Sequence, residues 1–253
     1  NSTLVDVRNN DLHRDDWDDV AALRDRIGPQ FRYSPQNGID PYDFSTINTA
    51  ENFPDRNFRR AVESFMGVDA GGAFTEEEAA AKGGVLDCSG QRITDLTGIE
   101  YFTGITVLNC SNNWIPTLDV SQNPRLYTLL CQNNRLENLN VSNNKGLRYI
   151  YAYNNELTSI DVSNCPSILY LLVHYNHLTG LDVSNNLSLR YLSCHHNEIS
   201  NLDVSANEQL DFVYCYDNQL TSLDSFLAND GLGPGDIVDV RNNNLSDDDV
   251  ADV

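Results

Sequence analysis

Apolar residues recur along the middle of the chain with a fixed period of 21 residues. A second apolar residue follows the first after three positions, a small residue that is often cysteine follows after two more, and an asparagine follows after a further three. A fixed period of this kind predicts stacked supersecondary units, each of which buries one thin apolar layer against its neighbours. The four columns are Ile105, Leu126, Leu147, Ile168, Leu189 and Leu210; Leu108, Leu129, Ile150, Leu171, Leu192 and Val213; Cys110, Cys131, Ala152, Val173, Cys194 and Cys215; and Asn113, Asn134, Asn155, Asn176, Asn197 and Asn218.

Each unit contains a stretch that is predicted to be a strand. Successive side chains of a strand point to opposite faces, so Leu192 and Cys194 are expected inside, while Tyr191, Ser193 and His195 are expected on the outer face. The repeated asparagine can donate and accept hydrogen bonds, as buried backbone leaving a strand requires. Stacking therefore predicts a parallel sheet on one curved face, with irregular turns of the type LDVSxN on the other.

The pattern LxxLxCxxNxLxxLDVSxN resembles a short bacterial subclass of the leucine-rich repeat family. The resemblance covers residues 85–245, from Val85-Leu86-Asp87-Cys88 to Asn243 and Leu245, and implies an α/β solenoid with a parallel β-sheet on its concave face. In that family the concave sheet most often binds partner proteins. The last full linker departs from the pattern, because Leu223-Asp224 is followed by Ser225-Phe226 and then by a longer loop.

Residues 51–81 predict two short helices. Pro54 lies near the start of the first, where proline is tolerated, and the spacing of Phe58, Val62 and Phe65 fits one helical face. Thr75 and Glu78 form a capping-box pattern for the second. The region 39–84 thus resembles a linker followed by the helical amino-terminal cap of internalin-like proteins. The preceding "VDAGGAFTEEE" is similar to a calcium loop but lacks carboxylates where they are needed, so it is interpreted as metal-free.

The two ends of the chain match each other. Residues 4–20 align with residues 237–253 at a constant offset of 233. We therefore expect residues 1–38 to be a closing-cap segment of a preceding tandem module, and residues 246–253 to be the start of a truncated cap helix. The alternative is that the two matching ends associate, either within one molecule or between molecules, for example in a head-to-tail contact between tandem modules.

The formal net charge of -21 argues against two classes of partner. Nucleic acid and anionic membranes both select basic surfaces. No apolar run approaches the roughly 18 residues of a membrane span, so no membrane insertion is expected.

The stretch "YLSCHHNEI" at 191–199 places Cys194 next to His195 and His196 and therefore raises the question of a metal site or a nucleophile. The alternation separates Cys194 from the histidines, and buried free thiols are the expected state of the cysteines. His174 is the lateral neighbour of His195. These two histidines with His196, and with His177 or Asp217, remain an alternative zinc or nickel site. No nucleophile elbow, phosphate loop or paired carboxylate is present, so no cofactor and no enzymatic activity are expected.

The turns carry an acidic column, in which Asn140 replaces one aspartate. That replacement indicates a hydrogen-bonding role that needs no charge, such as accepting backbone N–H groups of the next turn. Calcium bridging is the alternative. The aspartates are Asp119, Asp161, Asp182, Asp203 and Asp224.

The outward strand positions collect rings in the middle and late repeats. Exposed aromatic clusters usually mark binding surfaces, and tyrosine suits them because it is rigid and has a polar tip. The function predicted is a non-catalytic binding or adhesion module that recognises a protein or a glycan; the resemblance implies an extracellular or cell-surface location. The alternative is a structural spacer, in which the rings only stabilise neighbouring strands. The predicted ligand-binding residues are Tyr149, Tyr151, Tyr153, Tyr170, Leu172, His174, Tyr191, His195, Phe212, Tyr214 and Tyr216.

Overall fold

The computed structural model describes residues 46–246. The predicted segment 1–38, the first part of region 39–84 and nearly all of segment 246–253 lie outside the described residues. Within the described range, no helix has the length and apolar character that a bilayer crossing needs.

The amino-terminal cap consists of two helices, α1 (Arg56–Met66) and α2 (Glu76–Ala81). Asp55 caps α1 by accepting hydrogen bonds from the backbone of Asn57 and Phe58, and it also accepts from Thr94 of the first repeat. The capping box of Thr75 and Glu78 is present at α2. Both predicted helices and the predicted capping box of the second are therefore confirmed, whereas Asp55 as the cap of the first was not predicted.

The loop between the two helices is held by a protein side chain. Glu63 is 5% exposed, and its Oε1 accepts from the backbone N–H of Gly71 at 2.9 Å and from Asn48 Nδ2 at 3.2 Å. A buried carboxylate of α1 thus ties this loop to the helix and to Asn48.

Ten short strands follow the cap in a regular order. They form an eight-stranded parallel sheet, β1-β2-β4-β6-β7-β8-β9-β10, and a separate pair, β3-β5. The predicted solenoid with a parallel sheet is confirmed. The strands are β1 (Gly84–Asp87), β2 (Ile105–Asn109), β3 (Thr117–Asp119), β4 (Thr128–Leu130), β5 (Asn138–Asn140), β6 (Tyr149–Tyr151), β7 (Tyr170–Leu172), β8 (Tyr191–Ser193), β9 (Phe212–Tyr214) and β10 (Ile237–Asp239).

The interior is a single apolar column that runs the length of the array. The predicted inward residues, for example Leu192 and Cys194, are wholly buried. All six cysteines are free and buried. Burial raises the pKa of Cys131 to about 12, so the thiol stays protonated and inert at neutral pH.

The asparagine column closes each turn. Asn155 donates from Nδ2 to the carbonyls of Ala152 in its own repeat and Cys131 in the preceding one, and its Oδ1 accepts from Leu136 N–H. The other members make the same three types of bond. The predicted dual role of this asparagine is confirmed.

The acidic column lies on the opposite side of the solenoid. Asp161 Oδ1 accepts from Ser163 N–H at 2.9 Å, and Asn140 makes the same bond to Ser142 at 3.1 Å. The hydrogen bonds from Ser163 hold the pKa of the Asp161 carboxyl below its usual value. The predicted hydrogen-bonding role is therefore confirmed for these positions, whereas Asp224 instead begins a one-turn helix, α3 (Asp224–Leu227).

Candidate functional site

The concave sheet positions three columns of outward side chains. Strand pairing places Tyr149 beside Tyr170, Tyr170 beside Tyr191, and Tyr191 beside Phe212. We call these four residues the tyrosine column. The middle column contains Tyr151, Leu172, Ser193 and Tyr214, and the histidine column contains Tyr153, His174, His195 and Tyr216. All the predicted ligand-binding residues thus lie together on one face.

The rings of the histidine column are stacked face to face. Their centroids are 4.5 Å apart for Tyr153 and His174, 4.4 Å for His174 and His195, and 4.2 Å for His195 and Tyr216. The ring planes differ by 7°, 18° and 8°, respectively. Each inner ring therefore has both faces covered by its neighbours in the column.

An arginine closes one end of this column. The Arg241 guanidinium lies 5.7 Å from the centroid of the Tyr216 ring, within the range of a cation–π contact. Asp239 fixes that guanidinium with two hydrogen bonds, of 2.8 Å to Oδ1 and 2.6 Å to Oδ2. The histidine column thus ends at the positive charge of Arg241, which Asp239 of β10 holds in place.

The tyrosine column packs in a similar way. Adjacent centroids are 5.4 Å apart for Tyr149 and Tyr170, 5.4 Å for Tyr170 and Tyr191, and 5.6 Å for Tyr191 and Phe212. All four rings are half-buried. Only Tyr170 and Tyr191 are stacked, with ring planes 6° apart, whereas the planes of Tyr149 and Tyr170 differ by 42° and those of Tyr191 and Phe212 by 35°. The tyrosine column is therefore less regularly stacked than the histidine column.

Two residues on the outer face are less accessible than their position in the strand predicts. Ser193 is 3% exposed and His195 is 9% exposed. Ser193 Oγ lies 3.0 Å from His174 Nδ1. The ring centroids of Tyr191 and Tyr214, on the two strands that contain and follow Ser193, are 5.6 Å apart. His195 therefore lies on the outer face, as predicted, but neighbouring rings bury it. Alternation within a strand gives the face, but rings from adjacent strands decide the exposure.

Burial also changes the protonation of the imidazoles. Burial and, as the next cause, the neighbouring His195 lower the pKa of His174 to about 4. Burial likewise lowers the pKa of His195 to about 4, with His196 as the next cause. Both rings are therefore neutral at pH 7, which allows them to stack.

The stretch that suggested a metal or a nucleophile is divided between two sides of the sheet. Cys194 is wholly buried in the core, and burial raises the pKa of its thiol well above the usual value. His196 lies in the turn after the strand, with Nε2 3.3 Å from Asp217 Oδ2, and His177 pairs with Glu198 at 3.8 Å. In residues 46–246 no three His, Cys, Asp or Glu side chains are grouped to hold a metal ion.

The structure adds Tyr175 and His196 to the candidate site. Both adopt left-handed backbone conformations, with φ of 53° and 52°, at a position that is asparagine in the three preceding repeats. Their rings stack at 4.2 Å and extend the histidine column sideways. The available signal was the doublet Asn-Asn at 112–113, 133–134 and 154–155, which becomes Tyr-Asn at 175–176 and His-Asn at 196–197.

Known proteins share this architecture. No protein-family model matches the chain. The functional domain of InlJ from Listeria monocytogenes, described as including a cysteine ladder, superimposes with a TM-score of 0.72 at 40% identity. The match covers 78% of this chain and 43% of that one. The chain is a leucine-rich repeat protein.

Other comparisons agree on the fold of this leucine-rich repeat protein. Internalin C2 from strain 4b F2365 of L. monocytogenes has a TM-score of 0.67 at 19% identity, with 81% of this chain and 91% of that chain covered; this likeness shows the fold alone. Internalin J sequences from two strains of that species are 45% and 43% identical over 71 residues. That length is 28% of this chain, and the leucine-rich repeat protein spans only 8% of those relatives.

Proposed function

We propose that this leucine-rich repeat protein is a non-catalytic binding module, extracellular or on the cell surface, that recognises a protein through its concave ring columns. The similarity to internalin J and the gathering of rings on one face support a binding role. The observation that carries the choice of ligand is the mutual stacking of the rings.

Stacking supports one of the two predicted ligand classes over the other. A sugar ring packs on an open aromatic face, but both faces of His174 and His195 and one face of Tyr170 are covered by stacked rings. The columns instead offer ring edges and hydroxyl groups on a stiff support. Rigid aromatic side chains with polar tips give contact area and hydrogen bonds at low entropic cost, as in protein-binding paratopes. The geometry therefore favours a protein over a glycan.

Backbone strain beside the columns supports a binding role over a spacer. Tyrosine and histidine are unfavourable in left-handed conformations, which asparagine adopts more readily. Tyr175 and His196 nevertheless stand where Asn112, Asn133 and Asn154 stand in earlier repeats. Strain of about 1 kcal/mol or more at such positions is characteristic of ligand-contacting segments.

The test is an array of purified secreted and cell-surface proteins, probed in parallel with a glycan array. The variant Tyr151→Ala/Tyr214→Ala changes two half-buried rings of the concave face, and Tyr127→Ala changes an exposed tyrosine outside the three columns as a matched control. We expect a protein hit that the concave variant loses and the control keeps, with thermal unfolding confirming that both variants are folded.

Two outcomes would contradict the proposal. Binding that survives equally in both variants would place the ligand elsewhere on the molecule. Binding to glycans alone, or to nothing on either array, would favour a glycan module or the structural spacer.

A further inference from the structure

A column of exposed side chains lies beyond the carboxyl ends of the strands, directly after the asparagine column. It begins with Arg92, Trp114 and Arg135 and continues with Glu156 and His177, and all five residues are exposed. Trp114 is the only tryptophan among residues 46–246. The first three members place a tryptophan between two arginines, and we call them the arginine–tryptophan strip.

The three residues of the strip lie on successive turns of the solenoid. Trp114 N–H donates to the carbonyl of Ile93, the neighbour of Arg92, at 2.9 Å. Arg135 N–H donates to the carbonyl of Ile115, the neighbour of Trp114, at 3.1 Å. Because adjacent parallel strands are about 4.8 Å apart, the strip is about 10 Å long. Trp114 is thus flanked by an arginine on each side.

The side chains of the strip are not engaged by the fold. In the part of the chain that the structure describes, neither arginine side chain makes a hydrogen bond or an ion pair, and no ring or cation packs on Trp114. Trp114 is 49% exposed. The rings of His174 and His195 differ, because stacked neighbours cover both of their faces. The strip therefore offers an accessible aromatic ring between two positive charges.

The backbone at one end of the strip is strained. Arg92 has a φ of 60°, a left-handed conformation that few residues other than glycine and asparagine adopt. Trp114 and Arg135, at the equivalent position of the next two repeats, do not share it. Strain of this kind is concentrated in segments that contact ligands, which supports a binding role for the strip.

The strip is a positive site on a strongly negative molecule. The formal net charge of the chain is -21. Glu156 on the next turn and Glu137, two residues after Arg135, limit the strip at its carboxyl-terminal end. A long polyanion or an anionic membrane extends over this acidic surface and is repelled. A short anion avoids most of the repulsion, since charges beyond the Debye length of about 8 Å are screened.

We propose that the arginine–tryptophan strip binds a short anionic saccharide, with a sugar ring on Trp114 and carboxylate or sulfate groups at Arg92 and Arg135. The C–H groups of a sugar ring pack on the electron-rich face of an indole. Guanidinium groups bind such anions through paired N–H donors. An acidic peptide supplies the anions but no saturated ring between them, so a saccharide matches all three side chains. The strip shares no residue with the concave ring columns.

Isothermal titration calorimetry of the full chain tests this proposal with four probes. They are a heparin tetrasaccharide, which carries sulfates, a tetrasaccharide of galacturonic acid, which carries carboxylates, neutral maltotetraose, and a short peptide of aspartates. We expect binding of at least one anionic saccharide, and the comparison of the two identifies the preferred anion. Added salt should weaken that binding. Maltotetraose and the peptide should not bind.

Two sets of variants locate the site. Arg92→Gln/Arg135→Gln removes both guanidinium groups and should weaken saccharide binding by about tenfold or more. Arg125→Gln/Arg148→Gln makes the same change in charge at two exposed arginines outside the strip and should leave the affinity unchanged. Trp114→Ala should also weaken binding, and thermal unfolding verifies that every variant is folded.

Several results would overturn the proposal. Equal weakening in the two arginine pairs would indicate a general effect of charge, and full affinity in Trp114→Ala would exclude the ring from the site. Binding of neither anionic saccharide, or equal binding of the aspartate peptide or maltotetraose, would also contradict it. Tyr151→Ala/Tyr214→Ala should keep saccharide binding, so the outcome is independent of protein recognition by the concave face.

Discussion

At the scale of single residues, buried amides determine where each turn closes. Asn155 joins three segments of backbone through one side chain, because its amide donates to two repeats and accepts from the chain between them. The sequence predicts this role, since a side-chain amide both donates and accepts hydrogen bonds without carrying a charge. It does not predict the second buried column, Asn123, Asn144, Asn186 and Asn207, whose Nδ2 groups bond to the preceding repeat.

The first prediction concerns the asparagine column. Asn155→Ala removes the acceptor of the buried Leu136 N–H and the donor to the Cys131 carbonyl. Leaving such buried groups unpaired should lower the free energy of unfolding by about 3 kcal/mol. Asn143→Ala, the same change at an exposed position, should alter it by less than about 0.5 kcal/mol. Urea denaturation of both variants checks this, and an equal loss in the two would contradict it.

The second prediction concerns Cys165, which replaces an asparagine of the second column. Its thiol makes one weak contact, at 3.4 Å to the Val141 carbonyl, whereas Asn186 donates to both Val162 and Cys165 carbonyls. Cys165→Asn should therefore stabilise the fold by about 1 kcal/mol through the added hydrogen bond. A midpoint of urea unfolding below that of the unaltered protein would show that the larger side chain does not fit.

At the scale of elements, strand alternation predicts the face of a side chain but not its exposure or orientation. The sequence therefore locates the ring columns correctly but does not predict that Ser193 and His195 are buried. Contacts between side chains of adjacent strands determine exposure and orientation. These contacts depend on side-chain rotamers, which a periodic sequence pattern does not predict. The left-handed positions of Tyr175 and His196 were missed because the asparagine signal is lost where rings replace it.

The third prediction is a pH dependence of stability that the imidazole pair causes. The pKa of His174 and His195 is about 4 in the fold against a usual 6.5, so the unfolded chain binds more protons between these values. Stability should accordingly fall as the pH drops from 6.5 to 4 and this contribution should level off below 4. The aspartates with lowered pKa, such as Asp161, contribute only at lower pH.

Replacing the imidazoles isolates this effect. His174→Phe/His195→Phe keeps stackable rings without a titrating group and should flatten the thermal-melting curve against pH in that window. His177→Phe, at an exposed histidine, should leave the slope unchanged. A slope that persists in the double variant would assign the effect to other groups.

At the scale of the whole molecule, stability is distributed over nearest-neighbour contacts between repeats. The repeat period predicts the solenoid and its core, since each thin layer has only one way to bury its apolar residues. The sequence also predicts both helices of the amino-terminal cap, the first from Pro54 and the spacing of its apolar residues and the second from its capping box. It does not predict the separate β3-β5 pair on the far side. These three-residue segments are too short to show the alternation of apolar and polar residues that predicts a strand.

The fourth prediction uses the six thiols as reporters placed along the array. Arrays of repeats open from their ends, so residues near an uncovered end exchange with solvent more readily. Cys215, next to the last repeat, should be alkylated fastest under native conditions, and Cys131 more slowly. Pulsed alkylation with mass spectrometry measures the order. Equal rates at both positions would mean that the array opens as one unit.

The central claim is that the rings of the concave face stack on one another and leave polar edges for a protein partner. The most direct measurement is a nuclear magnetic resonance titration of the imidazoles. The account predicts that His174 and His195 titrate near pH 4, because stacking removes their rings from water. Titration of both near 6.5 would mean open, hydrated rings, and would contradict the stacked columns and the ligand class inferred from them.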